Sequence, residues 1–320
     1  MRKRFPFIFV VIPIALVSSV GSATAASATC DRACLEGMVN EYLDAMLARN
    51  PFSLPLASKV KFTENDQVLK LGEGLWLTAS GPGSYKLYAA DPQAGQIGFL
   101  GTMRENGTPI ALALRLRIEN KRISEVETLI IREADSAKSI EAMGKPDASF
   151  LDPVPAGQRK SRDEMIAIAN KYYDGIEQSK GSIVPFDASC NRVQNGLKTT
   201  NNPDFKMPPP MTWNPLALGC KEQLDTGFFK FIHKVYPRRF TVIDEERGLV
   251  FGSFLFQIPG TVKSINVPGQ GTIPMQPSNL SPYTLDVVEL FKIRSGRIQR
   301  VEALQAKLPY GTPSPFFGDK

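Results

Sequence analysis

The chain has 320 residues, of which 42% are hydrophobic and 22% are charged, with 38 lysines and arginines against 32 aspartates and glutamates. That length suits two domains of ordinary size. The basic residues are scattered and form no run interleaved with aromatic residues, so we expect no nucleic-acid partner.

The amino-terminal stretch has the three parts of a secretory signal peptide. Residues 1–28 contain a basic start, an apolar run and a small-residue tail in which Ala23-Thr24-Ala25 fits the cleavage pattern. A membrane anchor is the alternative, but the apolar run is shorter than about 20 residues and contains Pro13. Cleavage would leave 35 basic residues against 32 acidic ones. We expect a periplasmic or secreted mature protein that makes no membrane contact.

Four cysteines are present: Cys30, Cys34, Cys190 and Cys220. An even number in an exported chain favours disulfides. Of the three pairings that four cysteines allow, we favour Cys190–Cys220, because these residues bracket a proline-rich stretch, and that pairing leaves Cys30–Cys34. A zinc site is the alternative, but the chain has one histidine and no paired CxxC motif, so we expect no metal.

The first predicted domain, residues 29–146, opens with an amphipathic helix. Apolar residues recur at helical spacing in residues 31–48. Strands are predicted in residues 85–132, and in one of them Leu112, Leu114 and Leu116 alternate with Ala113 and Arg115. That period indicates a sheet with one buried face.

The second predicted domain, residues 161–320, repeats the first after a proline-containing linker at residues 147–160. Residues 238–258 read as a strand, a turn and a strand, as residues 85–100 do. Residues 290–302 align without a gap on residues 115–127. Two long insertions, at residues 199–219 and 259–282, occur in the second domain alone. Loops of that length are usually lids, partner surfaces or disordered.

The sequences of three segments resemble a family of exported proteins with two tandem domains. This family belongs to the nuclear transport factor 2-like superfamily, which includes the SnoaL-like and ketosteroid-isomerase-like cones. These segments are ENGTP and LALRLRIENKRISEVETL in residues 105–129, RRFTVIDEERG in residues 238–248 and LPYGTPSPF in residues 308–316. The resemblance implies an α+β fold of two cones, each with a curved antiparallel sheet packed on amino-terminal helices. This superfamily holds enzymes, carriers and binding modules alike.

For function, the resemblance implies an acid/base pair in an apolar cone and no organic cofactor. The expected chemistry is that of a lyase or isomerase: proton transfer, dehydration or retro-aldol deformylation of a small aromatic or polycyclic molecule, such as a lignin-derived aromatic dimer. No residue matches a family motif for that activity. The alternatives are a non-catalytic carrier or sensor of a small hydrophobic ligand and a structural protein with filled cones.

Glu289 is the first candidate for catalysis, because it replaces Leu114 at a position whose neighbours along the strand are apolar. A tight hairpin at residues 294–297 would pair it with Glu302, and two facing carboxylates would raise one pKa towards neutrality. The alternatives are an ion pair with Arg300 or a one-residue bulge that turns Glu289 outward. Glu302 has a counterpart in Glu127, which favours a shared structural role.

The other candidates lie near a helix predicted at residues 221–235. His233 is the natural proton shuttle near neutral pH, although a histidine at a helix end is more often a surface or capping residue. Arg239 or Tyr236 would orient a substrate oxygen, with an ion pair as the alternative role of the arginine. Trp213 and Phe254 are expected either to line the pocket or to belong to the core.

The second domain is therefore predicted to carry the active pocket. The first domain, with leucines at the matching strand positions, is predicted to be a structural or homodimer-forming partner. Asp91 and Asp244, each four residues before a glycine, are interpreted as turn residues that bind backbone N–H groups.

Overall fold

The computed structural model describes Met1 and residues 30–318. Apart from Met1, the predicted signal peptide lies outside the described residues. The first half begins with α1, Arg32–Leu47, where the Asp31 side chain accepts a hydrogen bond from the Cys34 backbone N–H and so caps the helix. Six strands and a one-turn helix follow: β1 Leu56–Glu64, β2 Gln67–Leu69, α2 Leu75–Thr78, β3 Ala79–Asp91, β4 Gln96–Glu105, β5 Thr108–Glu119 and β6 Arg122–Ile131.

Two short helices, α3 Ala134–Ala142 and α4 Ala148–Leu151, lead to the second half. It begins with α5, Arg162–Gln178, whose start carries a capping box of Ser161 and Glu164. The remaining elements are β7 Phe186–Gln194, β8 Leu197–Lys198, α6 Cys220–Asp225, β9 Lys234–Asp244, β10 Leu249–Ile258, β11 Ser264–Val267, β12 Gly271–Pro274, β13 Tyr283–Arg294 and β14 Arg297–Leu308.

The two halves contain sheets with the same strand order. The first sheet runs β2-β1-β6-β5-β4-β3 and the second runs β8-β7-β14-β13-β10-β9. In both, the first long strand pairs in parallel with the last one, and the other long strands form an antiparallel meander. Each sheet packs one face on the helix that opens its half. The predicted α+β fold of two tandem domains, each with a sheet packed on an amino-terminal helix, is confirmed.

Both faces of each sheet are buried, which corrects the prediction of a single buried face. Leu112, Leu114 and Leu116 of β5 pack inside the first cone, as their spacing predicts. Ala111 and Ala113 point to the opposite face and join a core that also contains side chains of the second sheet. Small residues on this face let the two sheets approach each other closely.

The two cones therefore pack back to back within one chain. Gly98 of β4 lies against the ring of Phe251 in β10, and a Cβ added at Gly98 would come within 2.5 Å of that ring. Glycine is favoured here because a side chain would force the Phe251 ring out of its position. The apolar residues of this interface that come from β9, β10, β13 and β14 are Val242, Leu249, Phe251, Val288, Leu290 and Leu304.

The stretch predicted as the linker, residues 147–160, packs against the same interface. It contains α4 and a 3₁₀ turn at Ala156–Gln158. Phe150 and Val154 are buried, and the Val154 backbone N–H donates to the Glu246 carbonyl at 2.8 Å. This segment is consequently anchored to the second cone.

The two insertions pack on each other beside the second cone. Residues 259–282 form a hairpin of β11 and β12 and a 3₁₀ turn, Pro277–Asn279. Met211 from the first insertion packs with Ile265, Val267, Ile273 and Met275 from the second. This group, which we call the insertion cluster, gives the two loops a small core of their own.

The helix predicted at residues 221–235 is shorter than expected. α6 ends at Asp225, a 3₁₀ turn covers Phe228–Phe231, and β9 begins at Lys234. Gly227 interrupts the helix with a φ of 74°, which is in the left-handed region that glycine favours.

The structure contains both expected disulfides, Cys30–Cys34 and Cys190–Cys220. Among the described residues, no helix has the length and hydrophobicity that a membrane crossing requires. Within the same residues, no group of three or more histidine, cysteine, aspartate or glutamate side chains has an arrangement that could hold a metal ion.

Candidate functional site

Glu289 points into the second cone. Its side chain is 1% exposed, and its neighbours on the same face of β13, Val287 and Phe291, belong to the core of that cone. The position opposite Glu289 on β14 is Ala303. The repeat comparison with Leu114 therefore placed Glu289 on the correct face, although the pairing with Glu302 is wrong.

Two tyrosines of α5 hold the Glu289 carboxylate. The Tyr173 hydroxyl donates to Oε2 at 2.5 Å, and the Tyr172 hydroxyl donates to Oε1 at 3.5 Å. Tyr173 corresponds in the first helix to Leu43, which packs in an apolar core. A carboxylate and the hydroxyl that binds it thus both replace leucines of the first cone.

Arg192 supplies a positive charge to the same cone. Its side chain is 1% exposed, Nη1 donates to Gln223 Oε1 at 2.6 Å, and Nε has no hydrogen-bond partner. The guanidinium lies 5.5 Å from the ring centroid of Tyr172 and 5.2 Å from that of Phe229. Within the described part of the chain, it makes no ion pair. Such a guanidinium is poised to bind an oxyanion.

Sequence reasoning missed Arg192, Tyr172 and Tyr173 as members of the site. Alignment of the two halves could have identified Arg192. The corresponding strands β1 and β7 have nine residues each, and Arg192 occupies the position in β7 that the buried Phe62 occupies in β1. Three apolar positions of the first cone are therefore polar in the second, and all three meet at one place.

The environment shifts the acidity of Glu289. Burial raises the pKa of its carboxyl from 4.5 to about 7, while the Tyr173 hydrogen bond and the charge of Arg192 act in the opposite direction. Burial also raises the pKa of Tyr173 well above 10, so this tyrosine stays protonated and donates its hydrogen. A carboxyl with a pKa near 7 can both accept and release a proton at neutral pH.

Glu289 and Arg192 line a cavity of about 240 Å³. One wall is the 3₁₀ turn that follows α6, and the mouth is bordered by Ser278 and Asn279 of the second insertion. The lining combines aromatic rings with polar groups: Tyr172, Phe228, Phe229, Phe231, Phe256, Tyr283, Gln194, Gln305 and Lys307.

Trp76 occupies the corresponding interior of the first cone. It is 1% exposed, its indole N–H donates to the Tyr42 hydroxyl at 2.9 Å, and the two rings meet edge to face. Tyr42 is the repeat counterpart of Tyr172, so the same tyrosine binds a tryptophan in one cone and a carboxylate in the other. The interior of the first cone is therefore filled by a side chain at the place where the second cone has its carboxylate.

Three predicted partners of Glu289 lie elsewhere. His233 is exposed and outside the cavity, because Gly227 ends the helix before it can carry this residue inward. Tyr236 is 45% exposed and packs on Phe317. Arg239 points to the opposite face of the sheet, where its Nη2 donates to Glu127 at 3.2 Å. Their assignments as proton shuttle and substrate-binding residues of this cavity are therefore wrong.

The two predicted aromatic residues are close to the site but outside the lining of the cavity. Phe254 is buried and stacks on Tyr173 with 4.3 Å between ring centroids, so it supports the tyrosine from behind. Trp213 packs on the insertion cluster and contacts Phe228 with 6.2 Å between centroids. Both have the core role that was the alternative expectation.

Glu302 faces the interface between the cones. A bulge between Lys292 and Ile293 shifts the pairing of β13 with β14 by one residue, so Glu302 lies opposite Leu290. Its Oε1 accepts a hydrogen bond from the Tyr85 hydroxyl at 2.7 Å. The pairing of two carboxylates, and with it the role of Glu302 in the cone, is wrong.

One family model, of unknown function, matches part of the chain. Residues 158–305 match the model of a family described as "Domain of unknown function (DUF8021)", and this segment contains Glu289, Tyr173 and Arg192. No curated protein matches the chain.

Three solved structures resemble about half of the chain. A candidate isomerase from Bacillus subtilis is 12% identical over 45% of this chain and 87% of its own, with a TM-score of 0.27. AclR, a candidate hydroxylase from Streptomyces galilaeus, is 11% identical over 47% and 83%, with a TM-score of 0.28. PrhC from Penicillium brasilianum is 16% identical over 46% and 83%, with a TM-score of 0.24.

Proposed function

We propose that the second cone is the active site of a cofactor-independent lyase or isomerase that acts on a small, oxygen-bearing aromatic molecule. The observation that carries this proposal is the 2.5 Å hydrogen bond from Tyr173 to Glu289, which lines a cavity together with Arg192, a guanidinium that makes no ion pair among the described residues. The first cone has leucines and a phenylalanine at these three positions.

The proposed reaction starts with Glu289 ionised. Its carboxylate removes a proton from a substrate C–H next to a carbonyl, or from a hydroxyl in a retro-aldol cleavage. The carbonyl oxygen that gains negative charge is bound by Arg192, which has no carboxylate partner to leave within residues 30–318. Glu289 then returns the proton to another carbon, which completes an isomerisation or quenches the carbanion left by a lost aldehyde.

The cavity limits the size of the substrate. Its volume of about 240 Å³ lies below the roughly 300–1,000 Å³ of sites for drug-sized ligands. A single-ring aromatic compound fits this space between Phe228, Phe231 and Phe256. A lignin-derived dimer would need the insertion that borders the mouth, with Ser278 and Asn279, to move outward.

Export forms part of the proposal. The basic and apolar leader predicts secretion, and two disulfides are typical of proteins in oxidising compartments. We therefore place the reaction in the periplasm or outside the cell.

The test measures proton abstraction directly. The mature protein is incubated in D₂O with single-ring aromatic ketones and β-hydroxy ketones, and NMR follows deuterium entering the carbon next to the carbonyl and any aldehyde released. We expect exchange or cleavage with the native protein and at least a hundredfold loss in Glu289→Gln. Glu119→Gln, an exposed change in the first cone, serves as the control and should keep full activity.

The alternative is a carrier or sensor of a hydrophobic ligand. It is favoured by the aromatic lining of the cavity, which by itself suffices for binding. A carrier would bind the same ketones in both the native protein and Glu289→Gln and would exchange no proton in either. Saturable binding of these ketones without deuterium exchange or cleavage of any of them would therefore refute the proposed enzymatic activity.

A further inference from the structure

A second cavity, of about 430 Å³, lies between the two cones, and Glu302 and Tyr85 both line it. It opens on the face of the second sheet opposite to the cavity of Glu289. Its lining includes Phe150 and Met143 from the segment that joins the cones, Lys145 and Lys198 near the solvent, and the ion pair of Arg300 with Asp147. None of these residues takes part in the reaction proposed above.

No ion pair to Glu302 is formed by the residues that the structure describes. The residue is 6% exposed, and its one hydrogen bond in the described part of the chain comes from Tyr85. Burial raises the pKa of the Glu302 carboxyl to about 7, with the nearby Asp147 carboxylate acting in the same direction. An ionised Glu302 therefore requires a cation in direct contact, and none of the described residues forms an ion pair with it, since Arg300 in the same lining binds Asp147 at 3.3 Å.

The repeat shows what is missing. Glu127, the counterpart of Glu302, is bound by Arg115 through Nε at 2.7 Å and by Arg239, and these charges lower its pKa to about 2. The counterpart of Arg115 in the second domain is Leu290, which has no charge. The second domain thus keeps the buried carboxylate, lacks its arginine, and has a cavity beside it.

We propose that this cavity binds a small zwitterion, with a cationic amine against Glu302 and a carboxylate towards Lys145 and Lys198. The amine takes the place that guanidinium groups occupy at Glu127. The two lysines make no ion pair within residues 30–318, and they would repel a ligand that carries a positive charge alone. Phe150 and Met143 offer an apolar surface to the body of the ligand between its two charges.

Calorimetry on the mature protein with four probes tests this proposal. The zwitterions are 4-(aminomethyl)benzoate and 5-aminopentanoate, and the single-charge probes are benzylamine and benzoate. We expect at least one zwitterion to bind at least tenfold more tightly than benzylamine, and no binding of benzoate. Absence of binding by both zwitterions, or equal affinity for either single-charge probe, overturns the proposal.

Variants assign the binding to this cavity. Glu302→Gln should weaken binding of the zwitterion at least tenfold. Val193→Phe places a large side chain in the wall of the cavity and should block it while leaving Glu302 in place. The second variant keeps the test valid where the first fails to fold. Glu289→Gln should bind the zwitterion as the native protein does, so the outcome is independent of the reaction in the cone. Unchanged affinity in Val193→Phe would refute this location.

Discussion

Asp91 and Asp244 each accept a hydrogen bond from the strand that carries the other. The Ile243 backbone N–H donates to Asp91 Oδ2 at 2.9 Å, and the Ala90 backbone N–H donates to Asp244 Oδ2 at 3.2 Å. Ala90 and Ile243 each immediately precede one of the two aspartates. The two cones are therefore joined by a reciprocal pair of contacts with approximate two-fold symmetry.

The same two aspartates bind the first arginine of the opposite helix. Arg162 of α5 contacts Asp91 at 2.6 Å, and Arg32 of α1 contacts Asp244 at 2.7 Å. Each aspartate also accepts a backbone N–H three residues further on, at 3.0 Å, as the sequence predicts for a turn residue. One side chain thus shapes the turn and joins the domains.

Asp244→Ala should lower the free energy of unfolding by about 3 kcal/mol, because Asp244 is buried and its removal leaves the Ala90 N–H without an acceptor and Arg32 without its buried carboxylate partner, with the exposed Glu246 remaining. Glu246→Ala is the matched control, since Glu246 binds the same arginine at 2.7 Å but is 52% exposed. It should cost less than about 1 kcal/mol. Urea unfolding measures both, and equal losses would contradict the role of Asp244.

Glu289→Gln should change the pH dependence of stability. Because burial raises the pKa of Glu289 to about 7, the native state holds a proton that the unfolded state releases above 4.5. The stability that the native state gains from this raised pKa is fully present below pH 4.5 and is lost as the pH rises to 7. Glutamine does not titrate and so avoids this loss. Relative to the native protein, the free energy of unfolding of the variant should therefore be higher by up to about 3 kcal/mol at pH 8 and should change little at pH 4.5.

The measurement is the difference in unfolding free energy between Glu289→Gln and the native protein across pH 4.5 to 8. Other buried acids titrate in both proteins and cancel in this difference. A difference that does not vary with pH would mean that Glu289 keeps an ordinary pKa.

Arg192→Met should move the pH profile of the proposed reaction upward. The positive charge of Arg192 lowers the pKa of Glu289, so its removal raises the pH at which the carboxylate forms by up to about one unit. The rate at high pH should also fall, because the developing oxyanion loses its donor. Rate measurements between pH 5 and 9 check both effects, with Phe62→Met in the first cone as the control.

Trp76→Ala should open a cavity in the first cone and lower stability by roughly 3–5 kcal/mol. Trp76 is fully enclosed and hydrogen-bonded to Tyr42. Trp213→Ala should cost less, because that tryptophan is half-buried in the insertion cluster. Thermal unfolding with added indole completes the test, since indole should restore stability to Trp76→Ala and leave Trp213→Ala unchanged.

Comparison of the two repeats predicted the fold and one member of the site. Strand periodicity depends on neighbours in the chain, so the inward direction of Glu289 followed from its alignment with Leu114. Phe62 and Arg192 occupy matching positions of the repeat but lie outside the two segments that align without a gap, residues 115–127 and 290–302. His233 was misplaced because a single glycine, Gly227, ended a helix whose apolar spacing continued beyond it.

The sequence by itself determined two α+β cones and the turn role of Asp91 and Asp244, because propensities and spacing act over a few residues. Only the tertiary structure decided which side chains meet Glu289 and which cavity receives Glu302. One bulge between Lys292 and Ile293 separated these two carboxylates onto opposite faces of the sheet. The register of two strands is set by packing across the whole sheet, and no local pattern records where it shifts by one residue.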